Sequence, residues 1–214
     1  MKDSGILHKL EAYFQLSPAP TGLIVPPDPF EQNQQTDARV NGTAVRHAAV
    51  LITLTRPLNN SRFDESHIML TLRTAHLRRH AGQVSLPGGS ANPADPDIIY
   101  TALREAEEET RLRPDDVTIL GKLPALIMPS TFHVTPVVGL IDPNVDLIAC
   151  PDEVAEIFFV PASMLLNPVN YRINHIEFRG RERKFWEVQF GKHRIWGATA
   201  AILHHLAEQL DQLR

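Results

Sequence analysis

The chain has 214 residues, of which 43% are hydrophobic and 21% are charged, and its formal net charge is −4. This length allows one domain with a substantial core, and the composition is typical of a soluble globular protein. The negative charge argues against general nucleic-acid binding, so an anionic substrate must be held by local basic groups or by a metal ion. Cys150 is the only cysteine, which excludes an internal disulfide and favours a reducing compartment.

No segment predicts contact with a membrane. The longest apolar run, residues 48–54, is interrupted by Thr53 and is far shorter than the ~20 residues that a transmembrane helix needs. Residues 1–16 alternate charged and apolar side chains, as an amphipathic helix does and a signal peptide does not. We therefore expect a cytoplasmic protein.

Helices and strands alternate along the chain. A helix at residues 4–16 precedes a Pro-rich arm, and residues 1–45 are expected to pack as an N-terminal helix and arm on a main domain of residues 46–214. An acidic helix is predicted at 97–111, ended by Pro114, and a closing helix at 198–213. Strands are predicted near 46–55, 67–73, 117–123, 133–141, 158–164 (running into a short helix), 176–179, 184–190 and 193–196, and a loop followed by a strand is predicted at 76–87.

The acidic helix carries the most informative pattern, the order R-E-x-x-E-E formed by Arg104, Glu105, Glu108 and Glu109. At about 100° per residue, the three glutamates fall within one arc of ~100° of the helix surface. Like charges this close destabilise a helix unless a cation lies among them, and oxygen ligands suit Mg²⁺ or Mn²⁺. The alternative is a solvated acidic face, which most Glu-rich helices have.

The segment before this helix makes the solvated face the weaker interpretation. A strand-like run at 83–86 leads into a glycine turn at Gly88 and Gly89, then a loop at 90–97 and the acidic helix. This order resembles the Nudix box, G-x5-E-x7-R-E-U-x-E-E-x-G-U, in which U is aliphatic. The resemblance implies an α/β fold, the Nudix-type α/β/α sandwich with a mixed β-sheet.

The sequence departs from the box at three points. Gly89 lies one residue too far from Arg104, so the loop is one residue longer. The box glutamate is replaced by an acidic loop that contains Asp95 and Asp97, and the glycine after the helix is Arg111. Because helices often end on a glycine in the left-handed conformation, either this turn differs or Arg111 is strained.

Residues 70–89 resemble a second signature, L-L-T-x-R-[SA]-x3-R-x3-G-x3-F-P-G-G, of the coenzyme A pyrophosphatase branch of that family. Thr74 stands for Ser or Ala, and Leu86 stands for Phe. The resemblance extends over roughly residues 45–205. The signature positions that match are Arg73, Arg78, Gly82, Pro87, Gly88 and Gly89.

The resemblance assigns roles to the acidic residues. It implies that Glu105, Glu108 and Glu109 bind Mg²⁺ or Mn²⁺, and that Arg104 orients a carboxylate, either Glu105 or the loop Asp95. A general base is also needed. Glu105 is one candidate by family position. The other is Glu153, in the downstream Asp-Glu-Val segment, as a base or an extra metal ligand.

The implied reaction is metal-dependent hydrolysis of CoA or acyl-CoA to 3′,5′-ADP and a 4′-phosphopantetheine product. Arg73, Arg78, Gly88 and Gly89 are the predicted substrate-binding residues, although the arginines could equally be surface charges. The rival hypotheses are hydrolysis of another nucleoside diphosphate derivative, such as ADP-ribose or NADH, and a non-catalytic Nudix-like nucleotide-binding domain. The expected partner is a small-molecule substrate, without nucleic acid or membrane, and a homodimer is one allowed assembly.

Other reactive side chains are given structural interpretations. His76 and His80 are spaced like two zinc ligands on a helix, but no further soft ligand accompanies them. His204 and His205 are interpreted as solvated helix residues. Cys150 is interpreted as a packing thiol, because no base is paired with it in the sequence.

Overall fold

The computed structural model describes residues 4–16, 20–28, 45–57, 65–77, 80–128, 132–178 and 180–213. Its helices are α1 (Ser4–Leu16), α2 (Ile98–Thr110), α3 (Ala162–Leu165) and α4 (Gly197–Gln212). Within these ranges, no helix is long and apolar enough to cross a membrane. The strands are β1 (Leu23–Ile24), β2 (Arg46–Thr55), β3 (His67–Arg73), β4 (Val84–Ser85), β5 (Gly88–Ser90), β6 (Thr118–Lys122), β7 (Ala125–Ile127), β8 (Phe132–Ile141), β9 (Val154–Pro161), β10 (Arg172–Phe178), β11 (Arg181–Phe190) and β12 (His193–Trp196).

Most of the strands form one mixed sheet in the order β1-β7-β8-β2-β3-β4, while β5 pairs with β2, β6 with β8 and β9 with β3. Its centre is the long parallel pair β2–β8, and β3 and β9 are antiparallel. Strand β2 is apolar on both faces, and Leu51, Ile52 and Leu54 are fully buried. Such a continuous apolar run is typical of a strand covered on both sides.

Helices cover both faces of this sheet. On one face, Ala102 and Ala106 of α2 pack with Leu51 and Met69 in a core cluster. On the other face, a larger cluster joins the sheet to α1 and α4. The predicted α/β/α sandwich with a mixed sheet is therefore confirmed.

Helix α1 has the predicted bounds and shares the larger core. Leu10, Tyr13 and Phe14 are buried there, and a side chain at Gly121 on β6 would overlap the Phe14 ring. Strand β1 was not predicted, because it lies in the Pro-rich segment and pairs with the distant β7. Most of the remaining predicted arm lies outside the described residues.

The segment between β3 and α2 corrects the prediction most. The loop and strand expected at 76–87 are present, with β4 inside the strand-like run at 83–86, but the predicted glycine turn begins a strand of its own, β5. In β5, Gly89 pairs with Ala49 of β2. Glycine is depleted in strands, so local sequence gave no signal for a strand that long-range pairing creates.

Helix α2 lies within one residue of its predicted bounds, 97–111, at both ends. Its last residue is Thr110, and Arg111 follows in the left-handed conformation with φ 60°, donating its N–H to Glu107 O at 2.9 Å. The turn thus keeps the conformation that a glycine would favour, and Arg111 is the strained residue. Pro114 instead begins a 3₁₀ turn.

A small antiparallel sheet, β10-β11-β12, packs with α4. The interpretation of His204 as solvated is wrong, because its side chain is buried and stacks on Trp186 with ring centroids 3.8 Å apart. Burial also lowers the pKa of both His204 and His205. The helical period of apolar residues identified the buried face of α4. The small sheet also covers residues beside that face, such as His204, and only the tertiary structure shows this.

Candidate active site

The start of α2 and the strand β5 fix the site's backbone. Asp97 caps the helix, and its Oδ1 accepts a hydrogen bond from Tyr100 N at 2.8 Å. A side chain at Gly89 would overlap the Glu105 carboxylate, and one at Gly88, where φ is 156°, would overlap Ala49 O of β2. Gly89 therefore allows β5 to lie directly against the Glu105 carboxylate, and Gly88 allows it to lie against β2.

Arg104 forms the first of two charge clusters. Its Nε and Nη2 donate to the two carboxylate oxygens of Asp95 at 3.1 and 3.2 Å, and its Nη1 donates to Glu108 at 3.1 Å. The same Nη2 lies 2.9 Å from Glu105 Oε1 and 3.0 Å from Ser90 O. These hydrogen bonds lower the pKa of Asp95 to about 2. Arg104 therefore contacts both carboxylates that the sequence left as alternatives.

Arg73 forms the second cluster, at the C-terminal end of α2. Its Nη1 lies 3.3 Å from Glu109 Oε1, and its Nη2 lies 3.7 Å from Glu153 Oε2. The Glu109 side chain is only 3% exposed. Burial raises the pKa of Glu109 to about 8, and the nearby charges of Glu153 and Glu105 act in the same direction, against the effect of Arg73.

Two atoms of the second cluster are unsatisfied. Among the described residues, Glu109 Oε2 and Arg73 Nε are buried without a hydrogen-bond partner. An unpaired buried carboxylate oxygen is unfavourable, and a cation is the group that satisfies it best. The all-oxygen donor set of Glu105, Glu109 and Glu153 suits Mg²⁺ or Mn²⁺.

The predicted metal ligands do not form a finished site. In the described part of the chain, no three His, Cys, Asp or Glu side chains already converge to hold a metal ion. Glu108 is 58% exposed and pairs with Arg104, whereas Glu109 faces Arg73. Burial also raises the pKa of Glu105, whose carboxylate is influenced by both Glu108 and Glu153. Carboxylate oxygens are the donor type that a divalent cation needs, but in this structure these carboxylates contact arginines.

A cavity of about 390 Å³ lies beside the start of α2, away from Glu109. Asp95, already bonded to Arg104, forms part of its wall. The polar clusters, rather than this cavity, mark the candidate active site. The cavity is lined by His47, Ala91, Asp95, Asp97, Ile98, Thr101 and Thr135.

The structure describes each predicted site residue except Arg78. Arg73, Glu105, Glu109 and Glu153 come together at the end of α2 nearest β3. The sequence did not predict which residues fix the backbone of Glu153. One of them, Thr74, occupies a position of the signature, but its hydrogen bond to Glu153 O joins residues that are far apart in the sequence, so nearby residues could not reveal it.

A family model for the NUDIX domain matches residues 45–179, more than half of the chain. The chain belongs to the Nudix family. As a Nudix hydrolase, it acts as a pyrophosphohydrolase on a nucleoside diphosphate derivative. The motif prediction is confirmed at that level.

Relatives at 40% identity or more agree with this assignment. The Nudix hydrolase is 43% identical over 167 residues to the uncharacterized Nudix hydrolase NudL of Photorhabdus laumondii, covering 78% of this chain and 86% of the relative. It is 40% identical over 184 residues to the NudL of Yersinia pestis (strain Pestoides F), covering 86% and 89%. A crystal structure of the MutT protein from Methanosarcina mazei Go1 superimposes with a TM-score of 0.49 at 18% identity, covering 80% and 96%.

Proposed function

We propose that this Nudix hydrolase cleaves the pyrophosphate bond of CoA or acyl-CoA, giving 3′,5′-ADP and a 4′-phosphopantetheine product. The substrate is assigned from residues 70–89, which resemble the signature of the coenzyme A pyrophosphatase branch. Arg73, the first arginine of that run, lies against Glu109 and Glu153. The signature thus contains a residue that contacts the acidic side chains of the candidate active site.

The chemistry of a pyrophosphate explains why crowded carboxylates are useful here. Its phosphorus atoms are shielded by anionic oxygens, so attack by water requires charge neutralisation and a stabilised leaving phosphate. Glu105, Glu108 and Glu109 are the proposed ligands of Mg²⁺ or Mn²⁺, and Glu153 is proposed as an extra ligand besides its role as general base. When bound, such an ion neutralises phosphate charge and lowers the pKa of water.

Glu153 is the general base that we favour over Glu105. The Glu153 side chain is half exposed and can therefore accept a proton from water at the site surface. The Glu105 carboxylate is held 2.9 Å from Arg104 Nη2, which suits a ligand in a fixed orientation. In this proposal Arg104 orients Glu105 and clamps the loop at Asp95.

Arg73 is the described arginine best placed to contact substrate phosphate. Its side chain is 21% exposed, and its Nε has no hydrogen-bond partner among the described residues. A phosphate oxygen would satisfy donors that are now shared between Glu109 and Glu153. Arg78, which lies outside the described residues, is proposed as a second phosphate contact from the signature.

A substrate panel tests the proposal. The protein is incubated with Mg²⁺ or Mn²⁺ and CoA, acetyl-CoA, ADP-ribose, NADH or a dinucleoside polyphosphate, and the products are identified by mass. CoA or an acyl-CoA should give the highest kcat/KM, with 3′,5′-ADP as a product and no turnover in excess EDTA. Equal or better turnover of ADP-ribose or NADH would reassign the substrate, and no turnover of any compound would favour a binding domain.

The 3′-phosphate of CoA provides a sharper comparison, because dephospho-CoA lacks it. Losing one charge-assisted arginine–phosphate contact should lower kcat/KM by roughly 10- to 100-fold. If Arg73 or Arg78 contacts the 3′-phosphate, its Ala variant loses far more activity on CoA than on dephospho-CoA. Equal losses would assign that arginine to the pyrophosphate. Arg113→Ala, which removes an exposed arginine paired with Asp115, is the control.

A further inference from the structure

The turn that carries Glu153 is attached to the end of the acidic helix. Cys150 N donates to Glu109 O at 2.9 Å, so the turn satisfies a helix carbonyl that has no partner inside the helix. The turn closes on itself, because Glu153 N and Val154 N both donate to Cys150 O, at 3.0 and 2.8 Å. Glu109 and Glu153 are thereby linked through the backbone as well as through Arg73.

The other side of this turn is held by the chain just after β3. Thr74 N donates to Glu153 O at 2.9 Å, and Thr74 Oγ1 donates to Asp152 O at 3.4 Å. His76 Nε2 lies 3.1 Å from the same Asp152 O, and it must be the donor because a carbonyl oxygen only accepts. Two side chains therefore share one carbonyl immediately before Glu153.

Glu153 needs this support because its own side chain is weakly held. The carboxylate is half exposed, and its contact with Arg73 is 3.7 Å long. Exposed ion pairs of this kind stabilise one geometry only slightly. Thr74, by contrast, is buried, and its contacts fix the backbone from which Glu153 projects.

We propose that Thr74 and His76 are positioning residues, which clamp the Asp152 carbonyl so that Glu153 stays beside Arg73 and Glu109. The inference rests on the proposed function, since it assumes that Glu153 takes part in the site's chemistry. Residues that orient a functional carboxylate commonly change activity or metal affinity by about 10- to 100-fold when they are removed.

The test is a double-mutant cycle with Thr74→Val, which keeps the side-chain shape and removes the hydroxyl. Thr74→Val should lower kcat about 10-fold with KM unchanged, and His76→Ala should lower it about 3- to 10-fold. In a protein that already carries Glu153→Gln, adding Thr74→Val or His76→Ala should alter kcat by less than about 2-fold, because both substitutions act through the Glu153 carboxylate. Thr74→Ser, which restores the hydroxyl, should return kcat to within about 2-fold of the wild type.

Mn²⁺ affinity, measured by electron paramagnetic resonance, provides a readout that does not require turnover. Thr74→Val and Glu153→Gln should weaken Mn²⁺ binding by similar factors, and the double variant should be no weaker than Glu153→Gln alone. His80→Asn is the matched control, since His80 contacts Gln83 rather than the turn, and it should leave both kcat and Mn²⁺ affinity unchanged.

Additive losses in the double variants would overturn the proposal, as would Thr74→Val and His76→Ala proteins with wild-type kcat and wild-type Mn²⁺ affinity. Because His76 is exposed, its variant decides the question even if Thr74→Val fails to fold. If the wild type hydrolyses nothing in the substrate panel, the proposed function fails, while the Mn²⁺ cycle still supports or overturns the clamp.

Discussion

The two arginine clusters along α2 are built from the same residue types, but only one of them has all its buried polar atoms paired. Arg104, near the middle of the helix, contacts three carboxylates and a backbone carbonyl. Arg73, at the helix end, is shared between Glu109 and Glu153, and its Nε has no partner among the described residues. The first network is satisfied and the second is not.

This difference indicates which side chains maintain the structure and which take part in the reaction. A satisfied network fixes a loop and a helix in one geometry, whereas a buried, unpaired carboxylate oxygen is retained where a ligand can complete it. Asp95 has a depressed pKa and stays ionised, but Glu109 has a pKa raised by burial. We therefore expect Arg104 and Asp95 to contribute mainly to structure, and Arg73 together with the glutamates of both clusters to contribute mainly to activity.

Glu109→Gln should have the largest effect. It removes the buried charge that the proposed metal ion requires, so kcat should fall by at least ~10²-fold while circular dichroism shows a retained fold. Glu108→Gln is expected to lower kcat by a similar factor, although Glu108 is more exposed. Glu107→Gln is the control, because that side chain lies outside both clusters. A loss for Glu107→Gln equal to that for Glu109→Gln would contradict the assignment of the active face.

Arg104→Ala should lower the melting temperature by several degrees, because it leaves Asp95, Glu105 and Glu108 without their shared cation. A thermal melt compares it with Arg113→Ala, which removes an exposed arginine and should shift the melt little. The part of the loss due to Asp95 should shrink as the pH falls from about 4 towards 2, since its folded pKa is about 2. A change in kcat with no change in melting would contradict the mainly structural role assigned to Arg104.

In the metal-free protein, the contribution of Glu109 to stability should fall as the pH rises from about 4.5 to 8, whereas His204 and His205, whose pKa values burial lowers, act in the opposite direction as the pH rises towards their ordinary value of 6.5. The folded pKa of Glu109, about 8, lies above the ordinary glutamate value of 4.5, so folding favours the protonated form and is opposed once the carboxyl ionises. Urea unfolding in EDTA at several pH values measures the pH dependence, and the wild type should lose stability relative to Glu109→Gln as the pH rises. The same pH dependence in the variant would mean that another group titrates.

Arg111→Gly should have the smallest effect. It relieves a left-handed conformation that costs a non-glycine residue roughly 1–2 kcal/mol, partly offset by the greater entropy of glycine in the unfolded chain. The melting temperature should rise by about 2–4 °C for each kcal/mol gained, with kcat within about 2-fold of the wild type. A lower melting temperature would show that the Arg111 side chain makes a stabilising contact.

Local patterns were sufficient to predict much of the framework. The bounds of α1, α2 and α4 and of the strands β2, β3 and β8 follow from periodicity that a single segment contains. The short pairings of β1, β5 and β7 were missed, because each depends on a partner strand elsewhere in the chain. The same holds for His204, whose burial depends on the small sheet that covers α4.

Residue spacing was enough to identify the family and the charged groups of the site, because positions along a helix decide which side chains share a face. Tertiary structure decided their environments. It buried Glu109 while leaving Glu108 exposed, and it brought Glu153 to Arg73 through a turn bonded to Thr74 and to the helix end. Burial and partner distance control both pKa and ligand affinity, and both are properties of residues far apart in the chain.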